Sequence, residues 1–262
     1  MSLTIPEVCV LKTDGTNCDE EMKNAFEVSG AYADIVHVNE LRAGTRRLSE
    51  FGILALPGGF ANGDDIASGK ILAVELVSHL SDSIQEFINR GKPVIGVCNG
   101  FQLLVRAGLL PNRTLGKQQV TLAENEVGRF ECRWINLAVG RSVCKFFQPE
   151  DFSEQPIPMQ TAHGEGRFFG SGDDIRRLKD NEQIVFRYTT PEFQDPSGYP
   201  DNPNGAVDNI AGICDPSGLI LGMMPHPERS ITAFHPHRIR TEAARSAANV
   251  IFSNIVSYAR QA

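Results

Sequence analysis

The sequence has no long hydrophobic run and no cluster of basic residues. No stretch approaches the roughly 18 apolar residues of a transmembrane helix, and the N-terminal segment MSLTIPEVCVLK lacks the basic region and apolar core of a signal peptide. The net charge is −7, and the arginine pairs at 46–47 and 176–177 are isolated, whereas a nucleic-acid surface needs clustered Lys and Arg. We therefore expect no membrane and no nucleic acid among the partners, and a cytoplasmic location.

Metal and nucleotide motifs are also missing. The six cysteines lie far apart, without a CxxC pair or a histidine at zinc-ligand spacing. The phosphate-binding sequence GxxxxGK[ST] does not occur. The sequence thus indicates free thiols in a reducing compartment, no metal and no P-loop.

The composition is that of an ordinary globular protein. Of the 262 residues, 41% are hydrophobic and 22% are charged. Short apolar runs that end in turn residues alternate with helical patterns, which is typical of a mostly parallel central sheet flanked by helices. We therefore predict one α/β domain over residues 1–262.

The predicted elements follow from periodicity and from Gly, Pro and Asn boundaries. Strands are predicted at Val8–Leu11, Asp34–Val38, Ile53–Leu56, Pro93–Cys98, Phe130–Leu137, Ile184–Tyr188, Asn209–Cys214 and Leu219–Met224. Helices are predicted at Asn17–Gly30, which begins with a capping box, at Ile71–Arg90 and at His237–Ala259. Four prolines and two glycines between Thr189 and Gly205 predict a long structured loop.

The strongest local signal is VIGVCNGFQLL, in which an apolar strand runs into Cys98 and then directly into a helix. A nucleophile on such a sharp turn needs small neighbours, and Gly96 and Gly100 supply them. The positive end of the helix dipole favours a thiolate, and the Asn99 amide can stabilise an oxyanion. Gln102 lies one helical turn after the cysteine, on the same face. The alternative is a buried structural cysteine with glycines used for close packing.

A base and an acid for this cysteine are available in GMMPHPERS. His226 and Glu228 are two residues apart, and Pro227 favours an extended conformation before it, so the carboxylate can orient the imidazole. The alternative is a simple turn with a solvated glutamate. His163 in TAHGEGRF is the competing base, but we interpret it as a pocket residue.

Together these motifs resemble the class I glutamine amidotransferase family. The segments that carry the resemblance are GVCNGFQ, PHPE, LPGGF followed by GDD, AHGEGRF, and NPNG followed by NIAGI. More narrowly they resemble the glutaminase subunits of phosphoribosylformylglycinamidine synthase in purine biosynthesis. The resemblance spans nearly the whole chain and implies a flavodoxin-like α/β fold.

The resemblance also implies the site and the partners. It implies Cys98 as nucleophile, His226 as base and Glu228 as orienting acid, with oxyanion donors at Gly59 and Asn99, and with Gln102, His163 and Gly164 binding glutamine. A γ-glutamyl thioester would form, and ammonia would pass to a separate synthetase subunit, with a small accessory subunit in the same complex. No cofactor is implied for this chain, because ATP and Mg²⁺ are expected on the synthetase.

Two segments depart from the family pattern. KTDGTNCD lacks the apolar, proline-containing sequence of many relatives, so it receives no predicted role, and the contacts of Ala61 and Asn62 in PGGFANGDD stay open. Two other functions are also open: a redox-sensing or chaperone-type cysteine protein of related fold, and a catalytically silent binding subunit. The His226–Glu228 pair argues against the first.

Overall fold

The structure, a computed structural model, describes residues 4–64, 69–152, 155–231 and 238–261, without the side chains of residues 238–241. The strands are β1 (Glu7–Lys12), β2 (Tyr32–His37), β3 (Ile53–Leu56), β4 (Val94–Val97), β5 (Thr121–Glu124), β6 (Glu131–Val139), β7 (Ile157–His163), β8 (Glu165–Phe169), β9 (Ile184–Thr189), β10 (Ile210–Cys214) and β11 (Ile220–Met223). The helices are α1 (Asp19–Val28), α2 (Val38–Ala43), α3 (Lys70–His79), α4 (Ser81–Asn89), α5 (Asn99–Arg106), α6 (Gly172–Asp180) and α7 (Arg238–Ala259).

The described residues form a nine-stranded sheet in the order β2-β1-β3-β4-β11-β10-β9-β6-β7. The pairs from β2 to β11 are parallel, and those from β11 to β7 are antiparallel. The parallel half has the flavodoxin-like order, with its reversal at β1 and β3. The predicted α/β fold is confirmed, and the strand-rich second half extends its sheet.

Burial on both faces explains why the central strands have apolar sequences. Every residue of β3 and β4 is buried, as is every residue of β11, because helices cover both faces of the parallel half. Right-handed crossovers that leave β1 and β3 in opposite directions place α1 and α3 on opposite faces. Helix α5 packs across β3, β4 and β11, so its N-terminus lies at the centre of the sheet edge.

The predicted helix Ile71–Arg90 is two helices. Leu80 leaves helical geometry at φ −122° and ψ 8°, and α4 begins at Ser81. The polar run Ser81-Asp82-Ser83 favours a new helix start, because such side chains suit first turns rather than interiors. The apolar stripe continues across the break, which is why periodicity alone does not detect it.

The capping box predicted at Asn17 is wrong. Helix α1 begins at Asp19, with Cys18 in the cap position and no side-chain cap. The preceding loop instead pairs with the loop after β3, where Thr16 and Gly59 form an isolated bridge and the Cys18 amide donates to Gly58. Tertiary pairing therefore overrides the local signal.

Several elements were not predicted: β5, β7, β8, α2 and α6. Strands β5 and β8 form a separate two-stranded sheet, and β7 is the edge of the large sheet. The predicted loop after Thr189 contains no helix or strand before residue 206, and its Asn202 and Asn204 are buried. The start predicted for the last helix, His237, lies outside the described residues. Among the described residues, no helix combines the length and apolar character needed to cross a bilayer.

Candidate active site

Cys98 lies on a strained turn between β4 and α5. Its backbone has φ 51° and ψ −105°, a conformation that costs on the order of 1–3 kcal/mol for a residue with a side chain. A Cβ on Gly96 would lie 2.6 Å from the Gly100 carbonyl oxygen, and one on Gly100 would lie 1.9 Å from the Leu56 oxygen. The glycines are thus required by close backbone contact, as the sequence predicts.

The surroundings of the Cys98 sulfur suit a nucleophile. The residue is 5% exposed and caps the N-terminal end of α5, where the helix dipole stabilises negative charge. Its Sγ lies 3.6 Å from the Ala162 carbonyl oxygen on β7. The Cys98 amide donates to Met223 at 2.8 Å, which fixes the turn to β11.

His226 and Glu228 are in direct contact. His226 Nδ1 lies 2.6 Å from Glu228 Oε1, and both side chains are buried. The extended geometry predicted for this pair is wrong, because 227–230 form a turn of 3₁₀ helix with His226 in the cap position. The His226 amide donates to Gln160 at 2.8 Å and ties the turn to β7. The contact is therefore made within the turn.

The two buried histidines have opposite protonation preferences. Burial by itself lowers the pKa of His226, but Glu228 first and then Cys98 raise it to well above its usual value. Burial, and then the charge of His226, lower the pKa of His163 to about 3. Only His226 is therefore able to hold a proton near neutral pH, and His163 is neutral there.

Two backbone amides lie beside Cys98. Asn99 is the first residue of α5, so its amide has no intrahelical acceptor. Gly59 follows β3 with φ 144°, and among the described residues no hydrogen bond uses its amide. A Cβ at this glycine would lie 2.7 Å from the Asn17 nitrogen. Gly59 lines the same cavity as Cys98, and the oxyanion role of the two amides stays a prediction.

Most of the predicted site residues line one cavity. Its lining includes the predicted residues Cys98, Gln102, Gly59, His163, Gly164 and His226. Glu228 contacts the Nδ1 atom of the His226 imidazole, and Asn99 lies at the N-terminal end of α5. Phe60 and Phe130, about half exposed, stack at 6.2 Å between ring centroids and form an aromatic wall of the cavity.

A family model, described as a CobB/CobQ-like glutamine amidotransferase domain, matches residues 5–259. The chain belongs to this glutamine amidotransferase family. Phosphoribosylformylglycinamidine synthase subunit PurQ of Methanococcus maripaludis is 40% identical over 273 residues, covering 98% of the chain and 99% of that protein. The protein of the same name from Dehalococcoides mccartyi is 44% identical over 255 residues, covering 96% and 97%.

Solved structures agree with this assignment. A chain of the structure of PurLQS from Thermotoga maritima aligns with a TM-score of 0.74 and 29% identity, over 97% of this chain and 99% of that one. A glutamine amidotransferase from Thermotoga maritima, at 16% identity and a TM-score of 0.57 over 99% and 100%, shares the fold. The predicted family and enzyme class are confirmed, and the alternative of a redox or chaperone protein is set aside.

In the amidotransferase, Gln102 connects α5 to the segment after β7. Its Nε2 donates to the Glu165 carbonyl oxygen, and its Oε1 accepts from Asn99 Nδ2 at 3.1 Å. Asp64 Oδ1 accepts from the same Asn99 amide group at 3.1 Å. These contacts hold the helix start, the Ala61–Asp64 turn and the 163–166 segment in one arrangement.

Asn125, which the sequence did not single out, organises that segment. Its Oδ1 lies 3.0 Å from His163 Nδ1 and accepts from the Gly166 amide at 3.1 Å, while its Nδ2 donates to the His163 carbonyl at 2.8 Å. Its own amide donates to the Gly164 carbonyl at 2.8 Å. Since Asn125 Oδ1 can only accept, His163 carries its proton on Nδ1 and presents Nε2 as an acceptor.

The NPNG motif supports the same segment from the other side. Asn204, fully buried, donates to the Gly166 carbonyl at 2.8 Å and contacts the Tyr188 hydroxyl at 3.0 Å. Its carbonyl accepts from the Glu126 amide at 3.0 Å. The end of the Thr189–Gly205 loop thus positions the predicted glutamine-binding residues.

The KTDGTNCD loop is the main part of the site without a predicted role. It supplies Asn17 to the cavity and Cys18 to the neighbourhood of His226. The Phe60 amide donates to Gly15 at 2.9 Å, and the Asn62 amide donates to Asp14 at 2.7 Å. This loop therefore holds the Gly59 segment in place. Its position directly after β1 was the available signal, since ligands bind at the carboxyl ends of such strands.

Proposed function

We propose that the chain is the glutaminase subunit of a phosphoribosylformylglycinamidine synthase and hydrolyses glutamine at Cys98. The observation that carries the proposal is that Cys98 and His226 line one cavity together with Gly59, while Glu228 contacts the imidazole at 2.6 Å. The two PurQ relatives, matched over almost their whole length, support the assignment to purine biosynthesis.

The first half-reaction forms a thioester. The Cys98 thiolate attacks the side-chain amide carbon of glutamine, and the Gly59 and Asn99 amides stabilise the oxyanion, each donor contributing about 2.7–4 kcal/mol. Protonated His226 gives its proton to the departing nitrogen as the carbon–nitrogen bond breaks. The products are a γ-glutamyl thioester and ammonia.

The second half-reaction releases glutamate. Neutral His226 takes a proton from water as the water oxygen attacks the thioester carbon, and the sulfur leaves as thiolate. Glu228 holds the imidazole in one tautomer and stabilises the imidazolium in both halves. No cofactor on this chain enters either step.

Gln102, His163 and Gly164 hold the glutamine in this proposal. Neutral His163 offers an acceptor at Nε2, which suits an N–H donor of the substrate and not a carboxylate oxygen. The peptide groups of the 163–166 segment, fixed by Asn125 and by Asn204, offer further donors and acceptors. Rigid support of this kind lowers the entropic cost of binding.

Ammonia would pass to a synthetase subunit that uses ATP and Mg²⁺, in a complex that also contains a small accessory subunit. The PurLQS structure supports a complex of several subunits. We expect little glutaminase activity from the isolated chain, with docking of the synthetase completing the pocket. All six cysteines are free thiols, which supports a reducing, cytoplasmic setting.

The deciding experiment compares the two nitrogen sources in the assembled complex. Cys98→Ala should abolish glutamine-dependent synthesis and leave ammonia-dependent synthesis intact. Cys132→Ala, at an exposed cysteine on β6, is the matched control and should change neither. If Cys98→Ala left both activities equal to those of the unaltered complex, the chain would be a catalytically silent binding subunit.

A further inference from the structure

Cys18 brings a second buried sulfur to the proposed catalytic pair. The residue is 1% exposed, and its amide donates to the Gly58 carbonyl at 3.2 Å. Ligand atoms of Cys18, His226 and Glu228 all lie within 4.8 Å of one another. A Cβ on Gly58 would lie 3.4 Å from both Cys18 Sγ and Cys98 Cβ, so the two cysteines flank the same small space.

The cluster also contains buried polar atoms without partners. His226 Nε2 and Glu228 Oε2 are both buried, and neither has a hydrogen-bond partner among the described residues. A buried polar atom without a partner costs about 1–3 kcal/mol, and a bound group that satisfied Nε2 would recover part of that cost. Thiolate, imidazole and carboxylate are together the donors that Zn²⁺ accepts in proteins.

We propose that Cys18, His226 and Glu228 form a site for a thiophilic divalent cation such as Zn²⁺, and that its occupancy inhibits the glutaminase reaction. Cys18 supplies a sulfur and His226 supplies Nε2, and Glu228 orients the imidazole through Nδ1, as carboxylates do beside metal-bound histidines. His226 also lines the cavity that contains Cys98. Binding of the ion rests on these contacts alone, whereas the inhibition rests on the proposed function.

Arg229 limits the affinity of the proposed site for a cation. Its Nη2 donates to Cys18 Sγ at 3.1 Å, so a positive charge already occupies one side of the sulfur. A cation must displace this contact and overcome the repulsion between the two charges. The site is therefore suited to reversible occupancy, and Arg229→Gln should tighten binding of the ion.

Occupancy would stop catalysis without altering the fold. An ion on the His226 imidazole takes the lone pair that accepts the proton from water, and it also stabilises the Cys98 sulfur as a ligand instead of a nucleophile. No covalent bond forms or breaks, so a chelator restores activity. Glutamine-dependent synthesis by the complex should therefore fall with Zn²⁺ while ammonia-dependent synthesis is unchanged.

The binding test uses the full chain without glutamine. Zn²⁺ is titrated against a chromophoric chelator, and Co²⁺ spectra are recorded for sulfur-to-metal charge transfer, for the unaltered chain and for Cys18→Ala, Cys98→Ala and Cys132→Ala. Cys18→Ala should weaken Zn²⁺ binding at least about tenfold and remove or reduce the sulfur band. Cys132→Ala should match the unaltered chain, and Cys98→Ala should keep the band.

Equal Zn²⁺ affinity in Cys18→Ala and the unaltered chain would overturn the proposal, as would a sulfur band that survives Cys18→Ala and disappears in Cys98→Ala. If circular dichroism shows that Cys18→Ala does not fold, X-ray absorption of Zn²⁺-loaded Cys98→Ala tests instead whether sulfur binds the ion. A sulfur ligand at about 2.3 Å supports the site, and its absence refutes it. Because glutamine is not used, these results are independent of whether the proposed glutaminase activity is correct.

Discussion

Glu228 Oε1 lies 2.6 Å from His226 Nδ1 inside a single turn of 3₁₀ helix that follows β11. The contact assigns the Nδ1 proton to the side facing the carboxylate and leaves Nε2 for chemistry at the sulfur. It is also the largest favourable contribution to the raised pKa of the imidazole. The orienting and the charge-stabilising roles of Glu228 thus share one contact.

Replacing Glu228 by Gln should separate these roles. An amide can keep a hydrogen bond to Nδ1 but removes the negative charge, so the pKa of His226 falls. We expect kcat for glutamine to drop roughly 10²–10⁴-fold, and the alkaline limb of kcat/KM to move to lower pH, because the imidazolium is lost earlier as pH rises. A pH–rate profile of the complex checks this, and an unmoved alkaline limb would contradict the assigned pair.

Asn125 should control glutamine binding more than turnover. Asn125→Ala leaves the His163 segment with buried groups unpaired, which costs about 1–3 kcal/mol and should raise KM for glutamine about tenfold with a smaller change in kcat. Asn125→Asp should add a pH dependence, because a buried carboxylate raises the pKa of His163 and KM then increases as pH falls. Steady-state kinetics across pH measure both effects.

The control for Asn125 is Asn112→Ala, at an exposed asparagine outside the cavity, which should behave like the unaltered chain. The competing explanation is general loss of structure at Asn125. That explanation predicts a fall in kcat with KM unchanged, and such a result would remove the positioning role.

His163 should make the protein less stable in acid. Burial, and then the charge of His226, lower its pKa from the usual 6.5 to about 3 in the folded chain, so the unfolded chain binds the additional proton. Stability from this group is complete above about pH 6.5 and declines by about 1.4 kcal/mol per pH unit as pH falls towards the folded pKa. Urea unfolding of His163→Gln should lack this slope between pH 6 and 4, whereas His79→Gln, at an exposed histidine, should retain it. Equal slopes in all three proteins would contradict a neutral buried His163.

Gly100, which follows the strained turn at Cys98, should tolerate no side chain. Gly100→Ala places a Cβ 1.9 Å from the Leu56 carbonyl oxygen, and overpacking against backbone should cost at least about 2 kcal/mol of unfolding free energy. Gly172→Ala, where a Cβ meets no atom within 4 Å, is the matched control and should stay within about 0.5 kcal/mol of the unaltered chain. Thermal and urea unfolding compare the stability of Gly100→Ala and Gly172→Ala. Equal stability of the two variants would mean that the turn at Cys98 can relax to accommodate a side chain.

The sequence predicted the centre of the fold better than its second half, for a physical reason. Strands such as Ile53–Leu56 are buried on both faces and therefore appear as uninterrupted apolar runs. Strand β7 at Ile157–His163 mixes Pro158 with polar residues, and β8 begins with Glu165, Gly166 and Arg167, so neither appears as an uninterrupted apolar run. Local patterns also hid the break at Leu80, because the apolar stripe persists through it.

The site residues also divide into those that carry a local sequence signature and those that do not. Cys98 and the His226–Glu228 pair each carry a local signature, and the fold brings them together as expected. Asn125 and Cys18 have none, because their importance depends on tertiary contacts with segments far along the chain. The extended geometry predicted for the His226–Glu228 pair is wrong, because residues 227–230 form a 3₁₀ turn in which the same contact is made.

The role of Cys98 as nucleophile is tested by mass spectrometry of the complex after treatment with 6-diazo-5-oxonorleucine, a glutamine-like electrophile. Each chain should carry one label, on Cys98, and the Cys98→Ala complex should carry none. Modification of Cys18 in place of Cys98, or no modification of either under conditions that support glutamine-dependent synthesis, would refute Cys98 as the nucleophile.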